Sequence, residues 1–311
     1  MRPTRYQTKE HVLLMRTILR PALACLCALA AALVAPARAE GVLDRVARGE
    51  PLVIAHREAS VPFSFVYQGK PVGYAMDLCL RIAEQVRKKT GARDMQVKFL
   101  QVTPANRVEM VKTGKADMEC GSTTNNAARR QDVSFSLAYF ITGARILVPA
   151  DSKVTRIEDL EKKKVVSTKG TTPLSVLDQI NRTRFLQMNI IAAPDHDAAF
   201  DMVIKGQADA FVMDDVLLAG LAASSENQKA AKIVGRFLTT EPLAIMLPKG
   251  DEAFIKLVDE EMRNLIASRE INAIYDKWFT RPIPPGNRAL GLPASHLLKD
   301  FWKYPTDQLP G

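Results

Sequence analysis

Short apolar runs of four to seven residues alternate along this chain with longer stretches in which apolar residues recur every three or four positions. The short runs read as strands buried on both faces, and the periodic stretches as helices with one apolar stripe. Strands are expected at 52–55, 96–100, 117–120, 164–167, 189–192 and 208–213. Helices are expected at 74–89, 107–112, 173–181, 198–205, 215–222 and 251–267, with 271–279 continuing until Pro282, Pro284 and Pro285 end it. In the first helix Ala75, Leu78, Ile82 and Val86 share a face, and Arg87, Lys88 and Lys89 suit the negative end of the helix dipole. The alternation implies an α/β protein with largely parallel sheets.

One phrase occurs twice, Met110-Val-Lys-Thr-Gly-Lys-Ala-Asp117 and Met202-Val-Ile-Lys-Gly-Gln-Ala-Asp209, with five of eight positions identical. Each copy runs from a helix end through glycine into an apolar stretch, which suggests two similar α/β lobes. Extended segments at 139–143 and 239–243 have the character of crossings between them. The expected division is therefore a first lobe of 40–138 plus 244–311, an inserted second lobe of 144–238, and a hinge made by the two crossings. Paired crossings restrict motion to opening and closing.

The amino terminus changes the picture of composition. Leu23 to Val34 is an apolar run of twelve, preceded by Arg16 and Arg20 and closed by Ala37-Arg38-Ala39. That describes a secretory leader over 1–39, too short to span a bilayer comfortably, with cleavage after Ala39 and a periplasmic mature chain. Cys25, inside it, is a poor match to a lipoprotein site. Without six Lys/Arg and one Asp/Glu in the leader, the 43 basic and 34 acidic residues become 37 and 33, or +4 over 272 residues. An ordinary surface charge gives no case for nucleic acid. Cys79 and Cys120 remain; an oxidising compartment favours a disulfide if geometry allows, and two buried thiols are the alternative.

Polar groups follow the expected strands: His56-Arg57-Glu58, Thr103-Pro-Ala-Asn106-Arg107, Ser122-Thr123-Thr124 with Arg129 beyond, Thr168-Lys-Gly170-Thr171-Thr172, Asp195-His196-Asp197 and Asp214-Asp215. In open α/β sheets ligands sit beyond the carboxyl ends of strands. Each group also has a local explanation. Arg57 and Arg107 suit surface ion pairs, Ser122 and Thr124 suit caps of a helix near Asn125, and His196 and Asp214 suit caps of the helices after them. Gly170-Thr171-Thr172 before Pro173 offers free amides to an anion.

The phrases His56-Arg-Glu-Ala-Ser-Val-Pro-Phe63, Asn106-Arg107, Glu119-Cys-Gly-Ser-Thr-Thr-Asn-Asn126, Gly170-Thr-Thr172, Asp195-His196 and Met213-Asp-Asp-Val-Leu-Leu-Ala-Gly220 resemble those of the periplasmic glutamate/aspartate-binding proteins of bacterial ABC importers. The likeness runs from about Leu43 to Pro285. It implies a type II, Venus-flytrap fold: two lobes, each a mostly parallel sheet flanked by helices, joined by two hinge strands. It further implies that Arg129 takes a ligand's α-carboxylate with Ser122 and the Thr172 segment, and that Asp214 takes the α-ammonium with Ser122 and Thr124. Arg57, Arg107 and His196 would surround a side-chain carboxylate. Pro104 departs from the serine of that family's pattern and leaves glutamate against aspartate open, with Thr103 a candidate substitute for the lost hydroxyl.

Three arginines against Asp214 leave +2, which suits a ligand carrying two carboxylates and one ammonium better than a neutral or basic amino acid. The expected function is capture of L-glutamate or L-aspartate by lobe closure and delivery to an ABC permease with its ATPase. The protein is expected to be a monomer, with no cofactor, metal or catalytic residue, and its empty cleft is expected to be held open by repulsion between Arg57 and Arg107. The alternatives are a dehydratase of cyclohexadienyl substrates on the same scaffold, with Glu58 or His196 as proton donor, and an in-trans ligand sensor.

Overall fold

In the computed structural model, which describes residues 40–225 and 229–306, the apolar runs pair into two five-stranded sheets. The expected leader, with Cys25, Cys27 and the cleavage point after Ala39, lies outside the described residues. The first sheet is built on β1 (Leu52–His56), with β5 (Val97–Gln101) and β6 (Met118–Glu119) parallel on either side. It continues through β13 (Glu241–Pro248) to β7 (Val133–Thr142), giving the order β5-β1-β6-β13-β7. The second repeats this pattern with β9 (Lys164–Thr168) between β10 (Asn189–Ala193) and β11 (Ala210–Asp214), then β8 (Ala144–Pro149) and β12 (Ala231–Val234). One strand in each sheet runs against its neighbours, β13 in the first and β8 in the second. Those are the strands that enter from the other half, because the chain passes from β7 to β8 and from β12 to β13.

The repeated phrase has a physical reason. Helices α3 (Arg107–Lys112) and α5 (His196–Ile204) each end just before a glycine with φ +70°, at Gly114 and Gly206. This is the left-handed turn that glycine adopts without cost. The aspartate that closes each phrase then clamps the start of a neighbouring strand. Asp117 N donates to Val53 O (2.9 Å) and its Oδ2 accepts from Val53 N (2.8 Å). Asp209 N donates to Lys164 O (2.8 Å) and its Oδ2 accepts from Lys164 N (2.8 Å). The Asp-terminated turn fixes where β1 and β9 begin, and so where their polar ends emerge.

Helix α2 (Tyr74–Thr90) buries Ala75, Leu78, Cys79, Ile82 and Val86 and stops at Gly91, φ +70°. A disulfide joins its Cys79 to Cys120 just after β6, with Cα atoms 6.3 Å apart. Helices α7 (Glu252–Ala267) and α8 (Glu270–Phe279) pack beside it. They enclose a ring cluster of Phe63, Tyr74, Tyr139, Phe140, Tyr275 and Phe279 beneath the crossing. In the second half α4 (Thr172–Thr183), α5 and α6 (Asp215–Ser224) cover the sheet. Several features are not among the elements expected from periodicity: a first helix α1 (Val42–Ala47), a meander of β2 (Ala59–Ser60), β3 (Ser64–Tyr67) and β4 (Lys70–Val72), residues 133–138 of β7, strands β8 and β12, and a last helix α9 (His296–Lys303). Of the expected crossing segments 139–143 and 239–243, residues 140–142 and 241–243 are paired with each other in the long antiparallel ladder of β7 and β13.

Candidate functional site

Each polar group singled out in the sequence stands at the carboxyl end of a strand or at the start of the helix that follows. Arg57 comes directly after β1, Arg107 opens α3, and Ser122 and Thr124 lie in the non-helical loop after β6. Thr172 opens α4, His196 opens α5, and Asp214 ends β11. Arg107, Ser122, Thr124, Thr172, His196 and Asp214 line one cavity of ≈ 200 Å³ between the halves, together with Thr171, Pro173, Met213 and Leu217. Arg57 and Arg129 do not line it. A larger groove of ≈ 950 Å³ beside α8 and α9 gathers Tyr275, Trp302, Lys299 and Lys303, but no guanidinium.

The halves are closed on each other around this cavity. Arg129 Nη2 donates to Gly170 O (3.2 Å) while its Nη1 donates to Thr124 O (2.8 Å), tying the loop after β6 to the loop before α4. A Cβ on Gly170 would lie 2.6 Å from Pro104 O, and one on Gly220 would lie 2.3 Å from Val61 O. In this closed arrangement both Arg57 and Arg107 are buried.

Unmatched hydrogen-bonding capacity converges here. Arg107 Nε, Thr172 Oγ1, His196 Nε2 and Asp214 Oδ1 at the cavity, and Arg57 Nε and Nη1 with Glu119 Oε1 behind its lining, are buried and have no protein partner. Buried polar groups are ordinarily paired, so a cluster of such atoms at one cavity signals a ligand's complement. Burial, with Arg107 beside it, pulls the Arg57 guanidinium down to about 9, and burial with Arg107 does the same to Arg129. Both remain cationic at neutral pH. Burial, then Arg57 and Arg107, holds His196 well below the usual imidazole range, so its ring is neutral. Burial, then the Glu241 and Asp215 carboxylates, pushes Asp214 well above the usual carboxylate range against the pull of Arg107 and Arg129.

Several local explanations fail. Asp214 is the residue before α6, yet its side chain makes no cap bond. Asp195, not His196, caps α5, accepting from Ala198 N at 2.7 Å. No α-helix starts near Asn125, and neither Ser122 nor Thr124 caps the short 3-10 turn Arg129–Gln131: Thr124 Oγ1 donates to Glu241 Oε2 (2.6 Å), and Ser122 O accepts from Arg107 Nη1 (3.2 Å). Thr103, the candidate substitute for the hydroxyl missing at Pro104, is exposed, and its Oγ1 accepts from Asn106 N.

Two residues were missed. Glu119 and Glu241 are fully buried among the arginines, at 0% and 1% exposure. Glu119 Oε2 accepts from Thr123 Oγ1 (2.6 Å), and Glu241 accepts from Thr124 Oγ1 and Thr239 Oγ1 (2.6 and 2.7 Å). Three guanidiniums therefore face three carboxylates, and the formal sum is zero rather than the +2 counted from sequence. Selection by net charge gives way to selection by position. Glu241 is occupied by two threonines and Glu119 by one, which leaves Glu119 Oε1 and Asp214 Oδ1 as buried carboxylate oxygens without a protein partner, beside the unpaired nitrogens of Arg57, Arg107 and His196. Only the run of threonines beside each glutamate hinted at this in the sequence.

The family model of bacterial extracellular solute-binding proteins, family 3, matches residues 52–281. An L-glutamate/L-aspartate-binding protein of Pseudomonas aeruginosa is 40% identical over 93% of this chain and 97% of its own length. A glutamate/aspartate import solute-binding protein of Escherichia coli is 39% identical over 88% of this chain and 91% of its own. Among solved structures, a mutant of ArgBP from T. maritima superposes with a TM-score of 0.68 at 25% identity, covering 76% of this chain and 99% of that one. The ancestral amino-acid-binding protein AncCDT-1, a precursor of cyclohexadienyl dehydratase, gives 0.66 at 28%, again over 76% and 99%.

Proposed function

This chain belongs to the bacterial extracellular solute-binding proteins of family 3, and from that premise we propose that it captures L-glutamate or L-aspartate by closing its two lobes and hands the ligand to an ABC importer. The lobes are 40–138 with 244–311 and 144–238, hinged at 139–143 and 239–243. The compartment is the periplasm, reached by a leader removed after Ala39, and the partners are a permease and its ATPase.

One observation carries the reading: unpartnered nitrogens of Arg107 and His196 and an unpartnered carboxylate oxygen of Asp214 meet at the cavity between the halves, with those of Arg57 buried behind them. The donors complement a side-chain carboxylate, Asp214 complements an α-ammonium, and the remaining N–H groups of Arg129 with Ser122 and Thr172 complement the α-carboxylate. Charge-assisted bonds contribute about 1.5–3 kcal/mol each, so five or six support micromolar affinity, about −8 kcal/mol, after closure has taken its share. The relatives at 39–40% identity, both named for glutamate and aspartate, support the same ligand. They also support transport over catalysis. Of the two proton donors considered, Glu58 is exposed and its carboxylate accepts from Gln101, outside the cavity.

Calorimetric titration tests the proposal. Micromolar or tighter binding of L-glutamate or L-aspartate is expected, with L-glutamine and L-arginine far weaker. Absence of heat with both acids sinks it.

A further inference from the structure

The side chain of His196 makes one hydrogen bond in the protein, between Nδ1 and the hydroxyl of Thr168 at 2.8 Å, and its Nε2 is buried without a partner at the cavity wall. A neutral imidazole carries its proton on one nitrogen only, and the neighbour of the other nitrogen decides which. Thr168 is completely buried at the end of β9, and His196 Nδ1 is the one acceptor its hydroxyl meets among the described residues. A buried hydroxyl proton left unpaired is costly. If Nδ1 held the ring proton and donated to Thr168, that hydroxyl would have no acceptor, and a bare Nε2 lone pair would face the place of an incoming carboxylate. The groups beside the ring are the guanidiniums of Arg57 and Arg107, and neither donates to Nε2.

We propose that Thr168 is a positioning residue that donates to His196 Nδ1 and fixes the Nε2–H tautomer, so that a neutral ring presents a single N–H to the side-chain carboxylate of the ligand. This rests on the acidic amino-acid reading above. The site then needs no third cation at that end, which matches its balanced count of guanidiniums and carboxylates. Both residues belong to the second half of the molecule, so the pair persists whether the cleft is open or closed. Asp195 caps the helix that His196 opens.

Nitrogen NMR of labelled imidazole, with calorimetry against L-glutamate, tests the assignment in the full-length mature protein. Wild type is expected to show the neutral Nε2–H signature of His196 with and without L-glutamate. Thr168→Val should lose that preference and weaken the Kd for L-glutamate about tenfold or more. Thr168→Ser, which keeps the donor, should restore both. A wild-type ring protonated on Nδ1, or a valine variant with unchanged tautomer and Kd, overturns the proposal. Wild type that binds neither acid would instead defeat the ligand reading, while the ligand-free spectrum still decides the role of Thr168.

Discussion

At the scale of single residues, the site is defined by hydrogen-bonding atoms that the protein itself does not use. Arg57 has two such nitrogens and Arg107 one, all held in a dry setting. Arg129 differs: its Nη1 and Nη2 each hold a carbonyl, one from each half. Arg57→Ala is therefore expected to erode preference for acid over amide, lowering the ratio of L-glutamate to L-glutamine affinity by about tenfold or more. Arg129→Ala should abolish binding of every amino acid, because it removes both the α-carboxylate fork and a bond between the halves. Titration of each variant with both ligands reads the difference, and equal losses for the two ligands in Arg57→Ala would contradict its role. The lining residues Arg107, Ser122, Thr124, Thr172, His196 and Asp214 were legible because they follow strands, a position visible in the hydrophobic pattern. Glu119 and Glu241 were not, because a glutamate inside a strand reads as surface unless its threonine partners are known in space.

At the scale of elements, two devices position the site. The Cys79–Cys120 bond anchors α2 to the loop that carries Ser122 and Thr124. Closing a loop with a separation of 41 residues removes unfolded-state entropy of about 4 kcal/mol. The double variant Cys79→Ala, Cys120→Ala should lose close to that in denaturant unfolding; a loss under about 1 kcal/mol would mean that the thiols are not joined. Gly220 in α6 lies against Val61 O, so Gly220→Ala should leave melting unchanged yet weaken L-glutamate binding about tenfold or more, since its Cβ meets backbone only on closure. Unaltered affinity would show that this contact is not part of the bound state. Near the crossing, burial holds the Tyr74 and Tyr139 hydroxyls well above the usual phenol range. The unfolded chain then loses protons first above about pH 10, so stability falls as pH rises beyond that value, by about 1.4 kcal/mol per unit for each ring. Tyr74→Phe should remove one such contribution, about 1.4 kcal/mol per pH unit, from the slope in alkaline unfolding experiments, and an unchanged slope would place the ionising groups elsewhere. Main helices and central strands could be read from periodicity, and the Gly-Asp phrase even marked their equivalence. The short meander and α9 could not, because strands of two to four residues and a helix beyond three prolines carry too little pattern.

At the scale of the molecule, the two sheets share one plan, and each lends the other its reversed strand. Glu241 lies in the ladder opposite Thr142 and accepts from Thr124 beside the cavity and from Thr239, whose hydroxyl in turn accepts from Ala144 N (2.8 Å). One carboxylate thus links the site to both crossings. The chain beyond the prolines also joins the halves, where Arg288 Nη1 donates to Ser225 O (2.9 Å) near the end of α6. A guanidinium at the negative end of a helix is favourable there. These ties explain how a small guest held by unmatched atoms draws two halves together. A crystal structure of the complex with L-glutamate tests that most directly. It should place the side-chain carboxylate against Arg57, Arg107 and His196 Nε2, and the ammonium on Asp214 Oδ1. A complex in which the halves close while those atoms meet only water, or in which the ligand is held elsewhere, would contradict it.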